Sequence, residues 1–336
     1  MSPKKEKNDF VFPLEYLHTD ALCENMPSCT ALLVFAGSGN GVLKELKKLY
    51  RQSHVRIFYT EDLLHNRLPF VLEAAKKRNI PTIVLYGETT PETHAFLQGT
   101  PRVSLVSRGT ETPDPMEAFL KDPCPEYLTW IGFQRYLTRP DISNLLTDKF
   151  MEILRLGEFR ETPLRAEPLL REATHHFLDM RSVRHADLPD GICTSPNGLY
   201  AEEVCTLARY MGLSRRFHQA VIYGYPADSP QDSQAAQLVA QVIWHLTEGL
   251  AVAVDEHPQD NPEYFRRKAV QMGDDGQELI FFQSEKSGRW WMEVPNSKHP
   301  AEPIYISCSI SEYAMACKGE IPMKWLYYYQ KSNNFS

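Results

Sequence analysis

The stretch Phe177-Leu178-Asp179-Met180-Arg181 decides how the rest of the chain is read. An apolar run that ends in a carboxylate has the pattern of a buried parallel strand, and in such sheets the ligand crevice lies at the carboxyl ends of the strands. Asp179 therefore falls where a catalytic or binding group would stand, with Arg181 just beyond it and Asp187 six residues further on. A loop follows, Ser195-Pro196-Asn197-Gly198, and then a helix. Its apolar positions are Tyr200, Val204, Leu207, Ala208 and Met211, a helical spacing that Gly212 stops.

The same alternation extends outward in both directions. Apolar, β-rich runs occur at Leu32–Phe35, Val55–Tyr59, Thr82–Leu85, Val103–Val106, Tyr127–Ile131, Phe177–Met180 and Ala220–Tyr223. Helical patterns such as Val42–Arg51, Leu68–Arg78 and Gln234–Leu250 separate most of them. Strand–helix alternation of this kind predicts an α/β domain over residues 1–258, a three-layer α/β/α arrangement with a mainly parallel sheet. From residue 259 to 336 the character changes to a small β-plus-α appendage. Short strands are expected at Ala269–Met272, Glu278–Gln283 and Arg289–Val294, joined by turns at Asp274-Asp275-Gly276 and Ser287-Gly288. Ser309-Ile310-Ser311-Glu312 is a capping box for a helix that Gly319 closes. The aromatics of this segment, Trp290, Trp291, Trp325, Tyr327, Tyr328 and Tyr329, are dense enough to imply packing onto the main domain or onto a neighbouring subunit.

Bulk properties narrow the function classes. With 336 residues, 43% hydrophobic and 24% charged, the chain can bury a large core. A net charge of -7 offers no electrostatic footprint for nucleic acid or an anionic membrane. No apolar stretch approaches the roughly 20 residues of a membrane-spanning helix. The start, Met1-Ser2-Pro3-Lys4-Lys5, lacks the apolar segment of a secretory signal, so a cytoplasmic protein is expected. The seven cysteines lack CxxC spacing and read as reduced thiols, with no disulfide frame or zinc site.

The block around Asp179 resembles the third metal-binding segment of the arginase/formimidoylglutamase (ureohydrolase) family, where the strand end reads S-x-D-x-D and both carboxylates hold a pair of manganese ions. Here Phe177 takes the Ser position, Asp179 the first Asp and Arg181 the second. Ile80-Pro81-Thr82-Ile83-Val84-Leu85-Tyr86-Gly87-Glu88-Thr89-Thr90 is similar to the strand running into G-G-x-H-D, with Thr89 at the metal-binding His. Val103-Ser104-Leu105-Val106-Ser107 resembles the strand before D-x-H-x-D, with Gly109, Glu111 and Pro113 at the three ligand positions. Trp130-Ile131-Gly132-Phe133-Gln134, Leu154–Glu158, Asn197–Glu203, Gln237–Gln241 and Arg289–Pro295 look like a narrower group, the formimidoylglutamase-like proteins of Bacteroidetes.

The resemblance implies the fold, a homo-oligomer and a manganese-dependent hydrolase of linear amidines. The residues themselves depart from that chemistry. A carboxylate roughly 4 Å from a divalent cation contributes roughly 8 kcal/mol of attraction at an effective dielectric of about 20, and a guanidinium reverses the sign. Of the six ligand positions Asp179 is the one retained, with Glu111 a possible substitute at another, so no metal is expected unless Glu111 and Asp179 hold one weakly. The acidic residue that would bind the amidine in active relatives falls at Gly224. An ion pair from Arg181 to Asp179, Asp187 or Glu111 is the expected replacement for the metal charge.

The crevice candidates are thus Glu88, Thr89, Glu111, Asp179, Arg181, His185, Asp187 and Asn197. His175 and His176 are adjacent on a strand and face opposite sides, so a shared ligand role is not expected of them. His185 and Asp187 could converge on Asp179 as a metal site, against a structural role in hydrogen bonding. Cys193 could act as a nucleophile if His185 activated it, against an incidental loop thiol. Gly37-Ser38-Gly39-Asn40-Gly41 sits where a phosphate cradle would, but lacks the Lys-Ser/Thr of a P-loop and reads as a tight turn.

The leading expectation is a catalytically degenerate ureohydrolase-type protein that binds a small guanidinium- or amino-acid-like ligand, regulates or scaffolds. The alternative is an active formimidoylglutamase- or arginase-type amidine hydrolase with an altered, manganese-loaded site. The third is a metal-free hydrolase built on Cys193.

Overall fold

The computed structural model describes residues 11–18, 30–36, 39–61, 67–87, 91, 102–109, 115–120, 125, 127–189, 194–273 and 277–334. Nine strands form one sheet: β1 (Leu14–Tyr16), β2 (Ala31–Phe35), β3 (Ile57–Thr60), β4 (Thr82–Gly87), β5 (Arg102–Val106), β6 (Tyr127–Phe133), β7 (Glu152–Arg155), β8 (His175–Asp179) and β9 (Gln219–Tyr223). Their order is β1-β3-β2-β4-β9-β8-β5-β6-β7, and every neighbouring pair runs parallel. The seven apolar runs of the sequence are the seven inner strands. Strands β1 and β7 are additional and sit at the two edges. They are three and four residues long and half-exposed, so they lack the apolar run that marks an inner strand.

Alternation along each strand divides the core in two. Leu33, Phe35, Leu85, Ile131, Leu178 and Ile222 face one layer, packed with the helices Ala201–Gly212 and Gln234–Ala251. Leu32, Val34, Val84, Trp130, Phe177 and Val221 face the other, packed with Leu68–Lys77 and Pro140–Asp148. Strands buried on both faces between two helical layers make this a three-layer α/β fold.

Beyond it lies a separate antiparallel sheet of four strands, β10 (Phe265–Met272), β11 (Gln277–Ser284), β12 (Trp290–Val294) and β13 (Ile304–Cys308). Three of these match the expected strands, and β13 was not marked by the sequence. The capping box at Ser309 is formed, with Ser309 and Glu312 closing the start of the helix Ile310–Ala316, and Gly319 follows at a φ of +85°. A last helix, Met323–Asn334, closes the chain. Trp290, Trp291 and Trp325 are buried rather than exposed. Trp290 and Trp325 belong to the core of this sheet, and Trp291 faces the main domain, where the Arg171 guanidinium lies 4.2 Å from its ring. The junction is tied further by Ser307 Oγ, which donates to the Pro168 carbonyl at 2.6 Å.

The turn after β2 is a close backbone approach. Gly37 and Ser38 lie outside the described residues, but a Cβ on Gly41 would stand 2.1 Å from the Ser229 carbonyl oxygen. That accounts for the glycine by packing.

Candidate functional site

Asp179 ends β8 and caps the short 3-10 turn Met180–Ser182, which folds Arg181 back over it. The turn itself is pinned by Ser182 Oγ, which donates to the Asp179 carbonyl at 2.6 Å. The Arg181 backbone N–H donates to Asp179 Oδ1 at 2.9 Å, Arg181 Nε reaches Oδ1 at 2.8 Å and Oδ2 at 3.0 Å, and Nη2 reaches Oδ2 at 2.7 Å. Both carboxylate oxygens are therefore engaged by one guanidinium in fork geometry. The guanidinium carbon also lies 5.6 Å from the Tyr223 ring centre at the end of β9.

Burial pushes the Asp179 carboxyl up from its ordinary value, while Arg181, and more weakly Arg108, pull it back down. Fork pairing requires the anion, so the pair is ionic. Next to it, Gly224 has a φ of +74°, and a Cβ there would stand 2.4 Å from Asp179 Oδ1. Glycine at 224 is what makes room for the pair, and a carboxylate at that position would collide with it.

Among the described residues, the other candidates make their contacts elsewhere. Asp187 accepts from Arg184 Nη2 at 2.9 Å and from the Ala201 N–H at 2.9 Å, so it holds the start of the helix Ala201–Gly212. Burial raises its carboxyl, and Arg184 with the helix N–H more than offsets that, leaving it below the ordinary value. His185 is exposed, and its backbone N–H donates to the Ser195 carbonyl. Asn197 is exposed, and its carbonyl accepts from Ser195 Oγ at 2.9 Å. Of the residues expected to converge on Asp179, Asp187 is held instead by Arg184, three residues away, and by the helix start. For the same reason Asp187 is not a partner of Arg181, and neither Asp179 nor Asp187 offers an unengaged carboxylate to a ligand.

His175 and His176 do face opposite sides. His175 Nδ1 pairs with Thr174 Oγ1 at 2.7 Å, and its ring meets His218 edge-on. His176 Nδ1 pairs with Ser104 Oγ at 2.7 Å and stacks on Phe217. Burial pulls both imidazoles down to about 3, so they stay neutral in the core. Glu88, Thr89, Glu111 and Cys193 lie outside the described residues.

Arg108, at the end of β5, was not singled out by the sequence reading. Its signal was available: a cation just past the apolar run Val103–Val106, directly before Gly109. Arg181 and, more weakly, Arg108 thus act on the Asp179 carboxylate, and these described residues do not make a donor set that fits a divalent cation. Among the described residues, no group of three or more His, Cys, Asp or Glu side chains converges.

No protein-family model and no curated protein matches the sequence. Solved structures do match. Formiminoglutamase from Trypanosoma cruzi, crystallised with Mn2+, superposes with a TM-score of 0.59 at 13% identity, covering 71% of this chain and 100% of that one. Formimidoylglutamase from Bacillus subtilis gives a TM-score of 0.59 at 14% identity, covering 75% of this chain and 99% of that one. The agmatine ureohydrolase of Thermoplasma volcanium gives 0.52 at 14% identity, with 68% and 93% covered. A parallel nine-stranded sheet, helices on both faces and these three likenesses together give the chain the arginase-like α/β fold, with a four-stranded antiparallel sheet added after it.

Proposed function

We propose that this chain is a formimidoylglutamase-like ureohydrolase that has lost the binuclear manganese site and works by binding, regulation or scaffolding. One observation carries the reading: the Arg181 guanidinium holds both oxygens of Asp179, the carboxylate retained from the resemblance. Gly224 supports it from the other side, because the position expected to bind an amidine carries no side chain and has no room for one. Without a bound metal there is no hydroxide of lowered pKa to attack an amidine carbon. The reading keeps a small guanidinium- or amino-acid-like ligand for the crevice at this end of the sheet. The reading includes a cytoplasmic homo-oligomer; among the described residues, no helix is long and apolar enough to cross a membrane.

The test is metal content by mass spectrometry, after purification without chelator and incubation with manganese. The expected result is no stoichiometric manganese in the native chain. About two equivalents per chain would sink the reading and favour an active hydrolase, to be assayed on formimidoylglutamate, arginine and agmatine.

A further inference from the structure

A cavity lies at the opposite end of the sheet from Asp179. Arg102 opens β5, Glu172 precedes β8, and Arg215 and Arg216 precede β9, so these groups mark the amino ends of the strands. The antiparallel sheet is seated over them and supplies Arg289, Trp291, Tyr305 and Ile306, with Tyr328 from the last helix. The cavity volume is about 300 Å³, at the lower end of the range for small-molecule sites.

Its charges are unevenly matched. Arg102 is paired with Glu172 at 3.2 Å and Arg215 with Asp260 at 2.7 Å. Arg171 and Arg289, by contrast, share a single carboxylate oxygen, Glu167 Oε1, at 2.9 and 3.2 Å. Arg289 pairs in addition with buried Glu256 at 3.7 Å, a carboxylate that also accepts from the Ser284 and Ser287 hydroxyls. Arg171 is buried, its Nη2 donates to the Trp290 carbonyl at 3.0 Å, and its Nη1 has no hydrogen-bond partner. Arg216 makes no ion pair among the described residues, and exposed Glu302 stands at the rim. Burial pulls the Arg289 guanidinium below its ordinary value, with Arg171 adding to the depression and Glu167 and Glu256 opposing it. Five arginines and three glutamates line the cavity, so its lining carries an excess of positive charge, and aromatic rings form part of its walls.

We propose that this cavity binds a small anion bearing a carboxylate or phosphate group, held by Arg289 and Arg216 with the buried charge of Arg171 behind them. Guanidinium forks match the oxygens of either group, and a planar ligand body would lie against Tyr305 and Tyr328. The walls come from both sheets, so an occupant binds only the docked state and stabilises it.

Thermal unfolding and calorimetric titration of the full chain test this, with inorganic phosphate in one arm and the carboxylates citrate and benzoate in another. Saturable binding with a rising midpoint is expected in at least one arm, and the arm that responds assigns the group. Arg216→Gln should weaken that binding by roughly tenfold. Arg289→Gln should abolish it, with circular dichroism confirming the fold. Arg216 is exposed and unpaired, so its variant reports on binding even if Arg289→Gln fails to fold. No saturable response in either arm, or one that Arg216→Gln leaves intact, overturns the proposal; the latter places anion binding elsewhere, such as at Arg181 and Arg108.

Discussion

Asp179 sits in a buried position where an unneutralised carboxylate is costly, and Arg181 neutralises it from two residues away. Removing one partner of such a pair leaves the other charge stranded. Arg181→Ala should therefore destabilise the fold by about 3–5 kcal/mol at neutral pH, measured by urea denaturation. The sign of the pH dependence follows from the direction of the shift. Burial raises the folded carboxyl above its unfolded value, so its contribution is full below that unfolded value and is lost as pH rises through the folded one. Without Arg181 the folded value climbs further, so the deficit against the native protein should be small in acid and grow toward neutrality. A deficit independent of pH would show that Asp179 is not the group left stranded.

Between elements, a second buried pair joins the edge strand β7 to the last helix. Lys324 Nζ lies 3.2 Å from Glu152 Oε1, with both side chains mostly buried. Burial pushes the Glu152 carboxyl up and Lys324 pulls it back, the balance remaining above the ordinary value. Lys324→Met should cost about 3–5 kcal/mol, and adding Glu152→Met should recover most of it, because an apolar replacement of the whole pair removes the desolvation penalty. Equal losses in the single and double variants would mean that the two charges are not coupled. The edge position explains why this contact was not legible beforehand. Strand β7 is four residues of mixed polarity, and its partner lies in a helix that the sequence reading did not mark.

At the scale of the molecule, the junction of the two sheets combines the Arg171–Trp291 stack, the Arg171–Trp290 hydrogen bond and the Ser307–Pro168 hydrogen bond. Opening the interface would expose the buried Trp291 and break these contacts, so the two parts are expected to unfold together. One calorimetric unfolding transition is expected for the full chain. Two resolved transitions would mean that the antiparallel sheet folds independently of the α/β layers.

The inner sheet was legible because burial on both faces forces each inner strand to be a continuous apolar run, and that is a local property of the chain. The Asp179–Arg181 pair was partly legible, as one of three expected partners of Arg181, because the two residues are close in sequence and a buried carboxylate demands a counter-charge. Strands β1, β7 and β13 escaped because their stability comes from pairing with a neighbour rather than from their own residues. Only tertiary structure decided that Asp187 belongs to Arg184 and the helix start, that Gly224 must lack a side chain beside Asp179, and that arginines from Arg102 to Arg289 meet around one cavity. Those outcomes depend on which distant segments the sheet order brings together, and a charge selects its partner by distance in space.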